Sequence, residues 1–437
     1  MQEKYAGLLS RLIRSETVSQ YDEKNLDKFR AFHALLKETF PLVFQTVRTE
    51  DFDGSLLLLW KSKCPQPKAP ILLMNHHDVV EASGTWRHEP FSAEIADGKL
   101  WGRGTLDTKG GLFAMLQAAE ELIASGYEPD RDIYFESACN EETTGAGADR
   151  ISQVLKERGV KLDLVLDEGG MIVYDPIGGA DATFAMVGVG EKGCADLRFT
   201  ARSDGGHAST PAKNSPLARL AKFINAVEKG GIFTSGFSPT VKEMFRRMAP
   251  AMKAPLSFVF AHAGLFAPLI KAVVPSISPT ANAMFKTTLA FTTAGGSEGL
   301  NVMPSRAFVT GNMRFSHHQG GKASIEAVKK IADKYGVETE ILDSGFESPV
   351  SDYRSEGFRL VEKAVSELFP DVITAPYIMN GASDARYFSR VCDTCLRFLP
   401  FKIDEQQLES IHGADENIDL ACLPAAVEFY KIIIKGR

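Results

Sequence analysis

Three short apolar runs in the first half of the chain each break off into a cluster of histidine or carboxylate. Residues 71–75 (ILLMN) lead at once into His76, His77 and Asp78. Residues 133–140 (IYFESACN) lead into Glu141 and Glu142, and residues 162–166 (LDLVL) into Asp167, Glu168, Gly169 and Gly170. Runs this short and this rich in branched and aromatic residues suit strands buried on both faces of a parallel sheet. Helical periodicity over 2–14, 25–39 and 111–125 alternates with them, and a further strand-like run covers 56–60. The alternation predicts an α/β fold, a mixed sheet with helices on both faces and right-handed crossovers. Ligands of such sheets gather beyond the carboxyl ends of the strands. A fourth group belongs there, because WGRGTLDTKGG places Asp107 in a glycine-punctuated loop just ahead of a helix. Mixed imidazole and carboxylate donors suit zinc or another borderline divalent ion.

Singly, each feature has an ordinary reading. A histidine after a strand usually packs or hydrogen-bonds in place, an aspartate ahead of a helix caps it, and a Glu-Glu pair is usually solvated. Four such groups at successive openings of one sheet make a constellation.

At 437 residues the chain has room for two or three folding units. Near residue 192 the texture changes. CADLRFTARS alternates like a half-exposed strand, and helical patterns at 216–229 and 322–335 are interleaved with strand patterns at 305–314 and 337–342. This predicts a small α+β domain, 192–345, inserted into a larger domain of 1–191 and 346–437. Residues 231–290 elaborate the insert and are rich in Phe, Ala and Pro. Within them, 254–274 is mostly apolar but is interrupted by Pro255, His262, Pro268 and Lys271. That pattern predicts two short buried helices and no membrane span.

The net charge is −7 with no basic face, which excludes an electrostatic grip on nucleic acid. The opening MQEKYAGLLSRLIRSE has no apolar signal core and predicts a cytoplasmic protein. Six cysteines are too few for a disulfide scaffold in a chain this long. Cys392 and Cys395 form a CxxC without a second pair and read as inert core thiols.

The motifs NHHDVV, WGRGTLDTKGG, NEETTGAG, LDEGG and, much later, SIHGADE stand in one order. In that order the chain resembles the co-catalytic zinc peptidase and aminoacylase family over about residues 76–416. That family includes carboxypeptidase S, glutamate carboxypeptidase, aminoacylase and succinyl-diaminopimelate desuccinylase. LDEGG and the long middle insertion look most like the carboxypeptidase S branch.

The resemblance implies a zinc-exopeptidase-like catalytic domain with an inserted lid and dimerisation domain. It also implies two divalent metal ions, zinc first, with cobalt or manganese as alternatives. His76, Asp107 and Asp167 would hold one ion, and Asp107, Glu142 and His412 the other, so Asp107 would bridge. Glu141 would be the general base and acid, and Asp78 would orient a ligand imidazole. His77 neighbours His76, and the two point to opposite faces of a strand; the H-x-D spacing selects His76. A cis peptide is implied at Asp107–Thr108. Asn140 departs from the family's frequent Asp there but keeps its shape.

From the insert, the resemblance brings His207 (in SDGGHAST) to the partner subunit's active site, to stabilise an oxyanion. Asn301 and Arg314 would bind substrate, Arg314 through a carboxylate. Gly381 (in GASDAR) would lie in a glycine-rich substrate loop.

The function so implied is metal-dependent hydrolysis of an amide bond next to a free carboxylate. The substrate would be a small peptide or N-acyl amino acid, and the enzyme a homodimer joined through the insert, with no nucleic-acid or membrane partner. A narrow biosynthetic deacylase of the desuccinylase or deacetylase type is the second reading, and the Phe- and Ala-rich insert suits its charged substrate less well. A non-catalytic binding protein on the same fold is the third, against which every ligand and base position is filled.

Overall fold

The computed structural model describes residues 1–277, 279–345 and 347–436. Its large sheet has ten strands. At the centre, Arg131–Ser137, Lys68–Met74, Leu164–Asp167 and Cys395–Arg397 lie side by side and parallel. The hairpin Arg48–Phe52/Ser55–Trp60 extends the sheet on one side, turning through Asp53 and Gly54 at φ 52° and 95°. On the other side Thr183–Glu191 pairs in parallel with Val372–Met379.

Alternation of side chains builds two cores from these strands. Leu56, Leu58, Ile71, Leu73, Ile133 and Phe135 face the helices Lys109–Ala124 and Cys422–Lys435. Leu57, Leu72, Tyr134 and Val165 face Ala146–Glu157 and Ala385–Phe388. Helix Lys109–Ala124 reaches the strand ends because it opens on two glycines. A Cβ on Gly110 would fall 2.1 Å from Thr105 O, and one on Gly111 would fall 2.1 Å from Asn75 Oδ1. Cys392 and Cys395 are free and buried.

A four-stranded antiparallel sheet follows the order Thr288–Gly295, Arg306–Phe315, Gly193–Arg202, Glu338–Asp343. Helices Pro216–Glu228 and Gly320–Lys334 cover one face of it. The chain passes between the sheets at Glu191–Lys192 and has returned by Ser351, whose N–H donates to Val189 O at 2.7 Å. Phe346, where the sequence division falls, lies outside the described residues.

Ile232, Phe233 and Leu289 of the segment elaborating the insert pack on the small sheet, but most of its apolar residues pack elsewhere. Val241, Met244, Phe245, Phe260 and Phe285 share a core with Phe184, Met186 and Ala375 of the large sheet. The two short helices expected over 254–274 form, at Leu256–Ala261 and Ala267–Ile277, but they are not buried. Phe260, Ala263 and Ile270 turn inward, whereas Leu256, Phe258, Leu265 and Leu269 are 43%, 59%, 77% and 50% exposed. The helices form a single outer layer, so only one face of each finds a partner. No helix among the described residues is long and apolar enough to cross a membrane.

Candidate active site

The shared edge of the parallel strands gathers the motifs. Among the described residues, ligand atoms of His76, Asp107 and Glu142 lie within 4.8 Å of one another. Asp107 divides its carboxylate between two imidazoles. Oδ1 stands 3.0 Å from His76 Nε2, and Oδ2 stands 2.9 Å from His412 Nε2. His412 Nε2 is also 3.0 Å from Glu142 Oε2. Four residues from four distant stretches of sequence thus converge with nitrogen and oxygen facing inward. The Asp107–Thr108 peptide is cis.

The surrounding hydrogen bonds explain why these side chains aim as they do. His76 sits at the end of its strand with Nδ1 3.0 Å from Asp78 O, which turns Nε2 toward Asp107. The Asp78 carboxylate accepts from Ser19 Oγ at 2.7 Å and from the main-chain N–H groups of Glu141 (3.2 Å) and Glu142 (3.1 Å). One strand-end loop is thereby tied to the next. Asn140 shapes the same loop, its Oδ1 accepting from Gly147 N–H at 3.0 Å. His77 points the other way and stacks on Phe32 at 5.2 Å, with Nδ1 2.8 Å from Ser137 Oγ. It is a packed core histidine.

Glu416, one turn of sequence beyond His412, is buried and accepts from the main-chain N–H groups of Gly104, Leu106 and Asp107 at 3.1, 2.8 and 3.1 Å. Arg103 donates to it at 2.7 Å and to Gly413 O at 2.8 Å. His412 itself has a left-handed backbone, φ 61°. The Arg103–Glu416 pair therefore holds the Asp107 loop and the His412 turn against each other.

The LDEGG segment carries two carboxylates with different surroundings. Asp167 spends both oxygens on main chain, accepting from Glu168 N–H at 2.9 Å and Ala385 N–H at 2.8 Å. Burial pushes the Glu168 carboxyl well up, with the negative charges of Asp107, Asp167 and Glu142 adding to it and His76 opposing. Of the LDEGG pair, Glu168 is thus the one raised by the charges of Asp107 and Glu142.

Electrostatics at this edge are those of carboxylates short of positive charge. Burial raises Glu141 well above the carboxylate range, and Asp384, Glu168 and Glu142 raise it further. Burial also raises Glu142, followed by the charge of Asp107. Hydrogen bonds to Asp107 and Glu142 lift His412 to about 10. The buried Oε1 of Glu142 has no partner. Divalent cations fit such a donor set: acids that repel one another, the His76 imidazole with one nitrogen held and the other presented, the His412 Nε2 facing two carboxylates, and an orphaned carboxylate oxygen.

The remaining sequence-predicted residues lie apart from this cluster. His207 is exposed on the short strand Gly206–His207, which pairs with Val302–Met303. Ala208 N–H donates to Asn301 O at 2.9 Å, so His207 and Asn301 share one corner of the insert. Arg314 lies on the face of the small sheet away from its helices, with Nε donating to Asn312 Oδ1 at 3.0 Å. Gly381 follows Val372–Met379, and a Cβ there would meet nothing within 4 Å. Just beyond it, Ser383 donates from N–H and Oγ to Glu191, which also pairs with buried Arg397 at 2.9 Å.

Sequence reasoning passed over Glu168, Arg103 and the Glu191–Arg397 pair as participants. Arg103 and Glu168 stood inside quoted motifs, where a charged residue in a glycine-rich, otherwise buried segment was the available signal. Glu191 and Arg397 carried none, being charged residues at the ends of apolar strands distant in sequence.

A fold with this strand-end arrangement, with two histidines and a shared aspartate at its edge, defines a metal-dependent hydrolase. The chain belongs to peptidase family M20/M25/M40, whose family model matches residues 72–436. It is 32% identical over 432 residues to a probable carboxypeptidase S-like 2 of Dictyostelium discoideum, covering 97% of this chain and 81% of that one. It is 33% identical over 434 residues to the human N-fatty-acyl-amino acid synthase/hydrolase PM20D1, covering 97% and 86%. In structure it resembles the M20 family metallo-carboxypeptidase Sso-CP2 from Sulfolobus solfataricus, with a TM-score of 0.71 at 17% identity over 99% of this chain and 98% of that one. The chain is accordingly a metal-dependent amide hydrolase of the carboxypeptidase-like kind.

Proposed function

We propose that the protein hydrolyses the amide bond next to a free carboxylate, in small peptides or N-acyl amino acids, as a cytoplasmic homodimer with two zinc ions. The observation that carries this reading is the divided Asp107 carboxylate, one oxygen toward His76 and the other toward His412. His76 and Asp107 would hold one cation, with Glu168 as the third donor, since Asp167 is committed to main chain. Asp107, Glu142 and His412 would hold the other.

When bound, such cations polarise the substrate carbonyl and make water acidic near neutral pH. Glu141, held in place by Asp78 through its own N–H, would take the proton of the attacking water on its carboxylate and return it to the leaving nitrogen. Asp78 fixes Glu141, Glu142 and the His76 ring as one unit. Arg314 and Asn301 would receive the substrate carboxylate, His207 the developing oxyanion, and the open Gly381 loop the substrate backbone. Arg314, Asn301 and His207 ride on the insert while Gly381 belongs to the large sheet, so the insert would act as a lid, and closure would also exclude water.

A panel of dipeptides and N-acyl amino acids, run on metal-stripped protein reloaded with zinc, cobalt or manganese, tests the reading. Hydrolysis confined to substrates with a free α-carboxylate is expected. Equal turnover of the carboxyl amides would overturn it.

A further inference from the structure

Glu191 ends the strand from which the chain crosses to the insert, and its side chain is buried, 2% exposed. One carboxylate oxygen, Oε2, takes three donors: Arg397 Nε at 3.0 Å, Ser383 N–H at 3.1 Å and Ser383 Oγ at 3.2 Å. The other, Oε1, faces Arg386 at 3.9 Å. Arg397, itself wholly buried, also donates from Nη1 to Cys395 O at 2.8 Å. That carbonyl accepts from Ser351 Oγ as well, at 3.1 Å, where the chain comes back from the insert. Both crossings of the insert therefore meet at one buried ion pair.

An ion pair this deep is costly to desolvate, and apolar residues of like volume would join two strands as well or better. A joint between strands also needs no third residue. Ser383 is that third residue, and it comes from the loop after Val372–Met379 that contains Gly381. The loop is tied at three places. Met379 O accepts from Lys192 N–H at 2.9 Å at its start, Ser383 gives both donors to Glu191, and Ala385 N–H donates to Asp167 Oδ2 at 2.8 Å at its end. Arg386 Nη1 donates to the Ser383 carbonyl at 3.1 Å. Gly381 lies between the first two ties, with open space where a side chain would stand. A segment that is open in front is thus fixed from behind by the base of the insert.

We propose that Glu191 is a positioning residue: through Ser383 it sets the Gly381 loop for the substrate backbone, and Arg397 aims the Glu191 carboxylate at that loop. This role deepens the hydrolytic reading and rests on it. Glu141 and Glu142 are tied to Asp78, and Asp107 to Glu416. A displaced loop therefore weakens substrate binding and leaves the reacting groups in place.

Ser383→Ala removes the hydroxyl and leaves the ion pair and the Ala385 tie intact. Its KM should rise by about tenfold with kcat within about threefold of wild type, as expected for lost uniform binding. Amide hydrogen exchange over residues 380–384 should quicken by about tenfold, while that of Thr183–Glu191 stays unchanged. The double variant Glu191→Arg/Arg397→Glu restores opposite charges, but a guanidinium cannot accept from Ser383. It should melt near wild type and still show the raised KM; where it does not fold, Ser383→Ala decides alone. A KM for Ser383→Ala within about twofold of wild type, or unchanged exchange of the loop, would overturn the proposal. A wild-type KM in the double variant would overturn it too, and would reduce the pair to a joint between strands. Wild type inert toward every carboxylate-bearing substrate would overturn the hydrolytic reading instead, and the exchange measurement would still decide whether Glu191 holds the loop.

Discussion

The Glu416 carboxylate accepts the main-chain N–H of Asp107 at 3.1 Å. The C-terminal turn that presents His412 therefore also holds the loop that presents Asp107, and the two halves of the site form together. Glu416→Gln keeps the shape but turns an amide donor toward N–H donors and leaves Arg103 buried without its anion. Breaking one side of a buried pair costs about 3–5 kcal/mol. Chemical denaturation of the apoprotein should show a loss of that size. A loss below about 1 kcal/mol, within the range of an exposed ion pair, would mean that the pair does not organise the loop.

Asp107 and Glu141 separate binding from chemistry. Asp107→Ala should lose both metal ions together, because its two oxygens serve two histidines. Glu141→Ala should keep both ions and lose turnover. Metal analysis beside steady-state kinetics checks the pair. Turnover of Glu141→Ala within about tenfold of wild type, a barrier change of only about 1.4 kcal/mol, would remove Glu141 from the mechanism.

The two LDEGG carboxylates should also separate. Glu168→Gln is expected to lower the metal content to about one ion per chain while leaving apoprotein stability near wild type. Asp167→Asn turns an amide donor toward one of two N–H groups, and should cost about 1–3 kcal/mol of stability while retaining both ions. The reverse pattern would return the ligand role to Asp167.

Much of this architecture is legible in the chain itself. Strands at 56–60, 71–75 and 133–137 announce themselves because they are buried on both faces and read as unbroken apolar runs. The strand Thr183–Glu191, also buried, is hard to read because glycines at 188 and 190 dilute its β pattern, and Gly188 is where Arg397 closes on the backbone. The hairpin at Asp53–Gly54 carries a recognisable turn signal, a DG pair joining the two runs that form its strands. The metal-ligand set was visible through motif order, yet Asp167 and Glu168 could not be told apart, since adjacent carboxylates differ only in which one meets Ala385 N–H. The exposure of 254–274 is illegible for a related reason: apolar content says that a face seeks a partner, without saying that the fold provides one.

Lys192 supplies a test by pH. Its Nζ donates to Ala283 O at 3.1 Å and Lys286 O at 2.9 Å where the chain crosses between sheets. Burial, with Arg314 nearby, pulls its pKa down to about 7 from 10.5. The unfolded chain therefore binds more protons than the folded one between those values, so stability rises with pH across that window. Below about 7 the penalty of the buried charge is fully present. Relative to Lys192→Met, the wild type should gain ground from pH 7 to 10, with a slope of at most about 1.4 kcal/mol per pH unit. Denaturant midpoints of the two proteins over that range measure it, and parallel curves would show that the ammonium is not desolvated.

His207 and Asn301 share one corner of the insert, and His207 is exposed, with Nδ1 accepting from Ser209 N–H at 3.1 Å. Its other nitrogen is left to act on something outside this bond. If that something is the reaction centre of a neighbouring subunit, His207→Ala should lower kcat by about 100-fold or more, as loss of one oxyanion donor does. Metal content should stay unchanged, because the imidazole is not among the convergent ligands. Mixing His207→Ala with Glu141→Ala, each inactive alone, then becomes decisive. In a mixed dimer one site would combine an intact Glu141 from its own chain with an intact His207 from the neighbour, while the other would lack both. Equal mixing places half of the dimers in that state, with one working site each, so about one quarter of wild-type activity should return after subunit exchange. Exchange verified by mass labelling with no activity returning would place His207 in service of its own chain, or outside catalysis altogether.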